Sequence, residues 1–141
     1  MFEFIVLILQ KLNALLLSLG PAAIVLGFLI FVHELGHFIA ARLVGIRVEV
    51  FSIGFGKRLF GFRRGATDYR LSLIPLGGYV RMAGEEMPGQ EEGGGDASEM
   101  EQISAQYAQP GDKLDDKPVP HRLLVAVAGA AMNALTALVL T

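Results

Sequence analysis

The sequence contains no cysteine, which excludes disulfides and leaves His, Asp and Glu as the side chains able to hold a metal ion. Histidine is scarce as well: there are three, and two of them, His33 and His37, stand four residues apart. Charge is missing from residues 12–32, where Asn13 and Ser18 are the polar side chains among apolar and small ones. A helix that crosses a bilayer needs about 20 such residues. A second uncharged stretch, rich in Ala, Val and Leu, covers residues 123–141. No basic leader precedes the first stretch and no A-x-A-like site follows it, so it is expected to stay as an anchor rather than be cleaved as a signal. There is no internal repeat, and nothing points to nucleic acid as a partner. What remains is an apolar chain, 52% hydrophobic, with mean hydropathy +0.49, above the usual soluble range.

The charges that are present are segregated. Residues 1–43 form a lead-in and a first span, with Gly20 and Pro21 inside it, so the helix either kinks there or begins at Pro21. Residues 44–83 are basic; Arg42, Arg47, Lys57, Arg58, Arg63, Arg64, Arg70 and Arg81 face only Glu49 and Asp68 across residues 42–81. Positive charge beside a span marks the cytoplasmic side, so the first helix should run from outside to inside. Alternation over residues 46–50 and 69–73 predicts two short strands, with Gly54, Gly56, Gly61 and Gly65 in the turn between them. A β-hairpin at the membrane face follows. Residues 84–120 are crowded with Asp and Glu around a Gly93-Gly94-Gly95 run and read as a flexible acidic linker, with one short helix over residues 98–109. Residues 121–141 carry the second span. The expected fold class is therefore a membrane protein, mainly α: two transmembrane helices joined by a cytoplasmic-side, membrane-associated β-hairpin and the linker.

His33-Glu34-Leu35-Gly36-His37 fits H-E-x-x-H. Positions i and i+4 share a helix face, so both imidazoles reach one Zn2+ at about 2.0–2.1 Å. Glu34, beside the first ligand, is placed to take a proton from a zinc-activated water. Gly36 leaves room where substrate backbone or another helix approaches. At about 1.5 Å per residue, His37 and His33 lie roughly 7 and 13 Å inward of Arg42, inside the bilayer. Ionisable groups at that depth cost about 2.5 kcal/mol or more each, and a bound metal gives them a function there that decoration does not. A soluble protease of this pattern is disfavoured, because the chain has too little other regular structure to cover a helix that is apolar all round. His121, beside Arg122 ahead of the second span, reads as an interfacial side chain.

These residues resemble the site-2 protease family of intramembrane zinc metalloproteases, in its bacterial regulator-of-sigma-E protease branch. The likeness runs through Phe31-Val32-His33-Glu34-Leu35-Gly36-His37-Phe38, Ala41-Arg42 and Gly45-Ile46-Arg47-Val48. It continues through Phe51-Ser52-Ile53-Gly54-Phe55-Gly56-Lys57 and Ile74-Pro75-Leu76-Gly77-Gly78-Tyr79-Val80-Arg81-Met82. The resemblance implies His33 and His37 as zinc ligands and Glu34 as the catalytic base. It implies a transmembrane protein as substrate, the bilayer as surroundings, and a bacterial inner membrane with the amino terminus outside and residues 42–120 cytoplasmic. The hairpin either caps the helix bundle or accepts a substrate segment as an added strand, with Gly77, Gly78 and Tyr79 as candidate contacts. Gly129 to Asn133 resembles the family's G-P-x-x-N element, with Ala130 in place of proline. Asn133 either faces the active site, as a substrate contact, or ties the helices together.

In the family the third zinc ligand is an aspartate on a later membrane helix. No such element occurs in these 141 residues, nor do the family's PDZ domain and last helices. The resemblance therefore implies the amino-terminal catalytic half of an intramembrane zinc metalloendopeptidase, inactive by itself for want of that ligand. The alternative is a non-catalytic membrane fragment that binds partner helices.

Overall fold

The computed structural model describes residues 1–85 and 96–141. Helix α1 (Phe2–Leu43) is followed by strands β1 (Val48–Arg64) and β2 (Thr67–Met82), a helix α2 (Asp96–Tyr107) and a last helix α3 (Val119–Leu140). Both α1 and α3 are long and apolar enough to cross a bilayer, and they flank a small sheet, as the hydropathy of the sequence predicts. The helix α1 runs through Pro21 without a break in its assignment, so the lead-in and the first span are one element. Pro118 and Pro120 open α3, where a missing N–H leaves no intrahelical bond unmade.

The hairpin departs from the expected outline. Its turn is short, at Gly65 and Ala66, while Gly54, Gly56 and Gly61 lie inside β1. Gly54 and Gly56 have φ of 87° and 86°, backbone that side chains other than glycine's rarely adopt, and the pairing register shifts there. These glycines bend a long strand where the sequence pattern suggests a loop. Bending makes the two strands double back: residues 50–53 pair with residues 78–81 on one side and with residues 68–71 on the other. Residues 58–64 pair only with the stretch starting at Thr67. Residues 78–82 and 58–64 are consequently the two outer edges. Beyond the bend β1 exposes large apolar side chains between its cations, with Phe60 72% and Phe62 59% exposed.

Packing concentrates at one end of the molecule. Ala40 and Ala41 of α1, Ile46, Val48 and Phe51, Val80 and Met82 of β2, and Val125 of α3 form one buried cluster. Val50 and Tyr79 point to the opposite face of the sheet, where Met100 of α2 covers them. The near half of the sheet is thus sandwiched between α1 with α3 on one side and α2 on the other.

Residues 86–95, including the Gly93-Gly94-Gly95 run expected to be flexible, lie outside the described residues. The remainder of the acidic segment is fixed to the sheet. The Arg47 N–H donates to the Asp112 carbonyl (2.8 Å), Ala83 to Arg47 (2.9 Å) and Leu114 to Ala83 (3.0 Å). The Arg47 guanidinium donates to Asp112 Oδ2 (2.6 Å), Glu49 Oε1 (2.9 Å) and Ser104 Oγ (2.7 Å), and Arg81 donates to Glu49 Oε2 (3.0 Å). Acidic composition alone suggests solvation; what it hides is that Glu49 and Asp112 share a cation, and that Met100 and Leu114 bury apolar surface.

Burial pushes the Asp112 carboxyl up, but the Arg47 guanidinium and the Gln109 N–H outweigh it and hold it below the usual carboxylate range. A depressed folded-state pKa contributes stability that is fully present above the unfolded value of about 3.9 and is lost as pH falls below it. Acidification below about pH 4 should therefore loosen residues 108–118. Limited proteolysis of that segment would register the change. Arg47→Met, which takes the cation from buried Asp112 and leaves Glu49 with Arg81 alone, should cost about 3–5 kcal/mol and give the same cleavage at neutral pH. Equal resistance of wild type and variant at pH 7 would show that the cluster does not hold the segment.

Candidate metal centre

His33 and His37 sit one helical turn apart on α1, their ring centroids 4.8 Å apart with planes at 75°. Helix α3 passes close by, and the contact is set by glycine on both sides. A Cβ on Gly36 would collide with the Ala128 carbonyl and lie 2.8 Å from Met132 Cγ. A Cβ on Gly129 would lie 2.5 Å from His33 Nε2 and 2.5 Å from His37 Nε2. Both Nε2 atoms therefore converge on the small space left by the missing Gly129 side chain. The room foreseen beside Gly36 is taken by α3.

Three residues on one row of α3, Val125, Gly129 and Asn133, face the two histidines. The Val125 carbonyl is 2.7 Å from His37 Nδ1 and can only accept, so Nδ1 carries the proton and Nε2 keeps its lone pair. Asn133 Nδ2 is 3.4 Å from His33 Nδ1, while Asn133 Oδ1 is buried with no partner among the described residues. Two imidazoles whose Nε2 atoms meet, with at least one held in the ligating tautomer, are a donor set that fits Zn2+. Among the described residues no group of three His, Cys, Asp or Glu side chains comes together, so a third protein ligand does not stand beside this pair.

Glu34 and His37 line a cavity of about 670 Å³ with Val80, Met82, Glu85 and Leu114 on one wall and Val119, Leu123, Val125 and Ala126 of α3 on another. The Val80 N–H lies beside the Glu34 carboxylate. Of the candidate hairpin contacts, none lines this cavity. Tyr79 is buried on the α2 face, stacked on Phe55 at 6.3 Å, and Gly77 is wedged between Phe55 and Ile30. Gly78 backs onto the Ser52 carbonyl. The reason is the pleat: if Tyr79 faces α2, Val80 faces the histidines, and a one-residue error in register exchanges the faces. His121 is exposed at the start of α3 and takes no part. Leu114 and Val119 enter the cavity wall because of the Arg47–Asp112 contact, which no local sequence pattern announces.

A model of Peptidase family M50 matches residues 21–141. A candidate zinc metalloprotease of Helicobacter pylori is 47% identical over 116 residues, covering 82% of this chain and 30% of that protein. A similarly described protein of Clostridium perfringens is 44% identical over 112 residues, 79% of this chain and 28% of its own length. The zinc metalloprotease RasP of Geobacillus kaustophilus is 51% identical over 63 residues, 45% of this chain and 15% of that protein. The chain thus spans less than a third of the length of these relatives. With two apolar spans and the family match over all but its first 20 residues, the chain belongs to peptidase family M50, the site-2 protease family of zinc metalloproteases.

Proposed function

We propose that the whole protein is a zinc endopeptidase that cuts peptide bonds of transmembrane proteins within the bilayer, and that this chain is its amino-terminal catalytic part. The observation that carries the reading is the meeting of His33 Nε2 and His37 Nε2 at Gly129, next to Glu34 and within an apolar helix. His33 and His37 would hold the metal, and the family resemblance implies an aspartate on a later helix of the whole protein as the third ligand. Bound zinc supplies a Lewis acid that brings the pKa of a water to about 7. Glu34 accepts the proton of that water and passes it to the departing amide nitrogen. Val125 keeps His37 in the tautomer that leaves Nε2 free.

The substrate segment lies extended along residues 78–82, whose outer edge has no neighbouring strand among the described residues and adjoins Glu34 through Val80. Strand addition there presents successive carbonyls to the cavity and removes the backbone from a helix, in which its amides are shielded. The basic flank of α1 supports an inner-membrane orientation with the amino terminus outside and residues 42–120 cytoplasmic. Exposed Phe60 and Phe62 support contact of the hairpin with lipid.

The test is cleavage of a single-span substrate by the whole protein in vesicles, with the cut mapped by mass spectrometry. The cut should fall inside the apolar span, and a chelator should abolish it until zinc is returned. A cut confined to a water-exposed loop would overturn the intramembrane reading.

A further inference from the structure

Asn133 makes an incomplete contact. Its Nδ2 is 3.4 Å from His33 Nδ1, a long approach, and its Oδ1 is buried without a hydrogen bond among the described residues. A buried carbonyl-type oxygen left without a donor is unfavourable, so this atom calls for a partner. If Nδ2 donates to Nδ1, that nitrogen must hold a lone pair, so the His33 proton sits on Nε2 and blocks the atom that faces Gly129. A half-turn of the carboxamide exchanges its two ends. Oδ1 then accepts from a His33 Nδ1–H, the orphaned oxygen is satisfied, and Nε2 is freed. The same row of α3 already does this for His37 through the Val125 carbonyl.

We propose that Asn133 is a positioning residue which, through Oδ1, holds His33 in the tautomer that ligates zinc. The inference rests on the zinc-peptidase reading and adds to it a specific duty for a polar residue in the second span. It gives the tie between α3 and α1, one of the two expectations for Asn133, a further duty as an outer hydrogen bond to a ligand. Such partners fix ring orientation, and their loss typically weakens metal binding about 10–100-fold.

The experiment measures zinc affinity of the whole protein, purified in detergent, by competition with a chromogenic chelator, so no turnover is needed. Asn133→Leu keeps the branched shape and removes the acceptor; Asn133→Ala serves if the larger side chain is not accommodated. Either should weaken zinc about 10–100-fold. Asn133→Asp keeps an acceptor oxygen and should return the affinity to the wild-type range, a rescue that mere helix packing would not produce. Wild-type affinity in the Leu or Ala variant, or an Asp variant as weak as they are, would overturn the assignment. Wild-type protein that holds no zinc would instead sink the peptidase reading itself.

Discussion

Gly129→Ala is expected to strip the protein of tightly held zinc. A methyl group at that position would stand 2.5 Å from both Nε2 atoms, closer than real Cβ contacts come, in the space where those nitrogens meet. The two rings or the two helices must separate, and separation also stretches the 2.7 Å bond that sets the His37 tautomer. The affinity should fall about 100-fold or more, at or beyond the upper end of what outer-shell changes produce. Helix weakening cannot be the cause, since alanine is a better helix former than glycine by about 1 kcal/mol. Ala130→Val, on the exposed side of the same turn, is the matched control and should leave zinc content unchanged. Metal analysis of the purified whole protein decides it. An alanine variant as fully loaded as wild type would mean that the imidazoles do not converge there.

The second large effect is on turnover. Glu34→Gln keeps the size of the side chain and removes its ability to take up a proton. Loss of general base catalysis should lower cleavage about 10²–10⁴-fold. Zinc should stay bound, because Glu34 is not one of the converging donors. Separate readouts of metal content and cleavage therefore distinguish this variant from Gly129→Ala, which loses both together. A Gln variant with wild-type turnover would remove Glu34 from the role of base.

The two apolar helices and the histidine pair were legible because both are local. An uncharged run of 21 residues and an i, i+4 histidine pair need no tertiary information. The hairpin was legible in kind but not in outline. Glycines at 54 and 56 punctuate turns more often than strands, and only the pairing shows them as bends. The cavity wall was hidden for two reasons. The choice between Tyr79 and Val80 depends on register, and the positions of Leu114 and Val119 depend on an ion pair between residues 65 apart in sequence. Asn133 was visible as an oddity in an apolar helix, but its partner lies 100 residues away.

The length of α1 has its own consequence. Its 42 residues extend about 63 Å at 1.5 Å each, twice the roughly 30 Å of hydrocarbon available. A straight rod of that length would have to lean about 60° to keep both tips at the two surfaces, well outside the observed range of about 0–40°. Counting back about 30 Å from Arg42 reaches the neighbourhood of Pro21, whose ring removes one backbone bond and makes a joint there cheap. The first 20 residues, with Glu3 and Lys11 among leucines and isoleucines, are then suited to lying flat against the bilayer surface at that end of the span. A collar at that surface would fix how deep the histidine turn hangs below it.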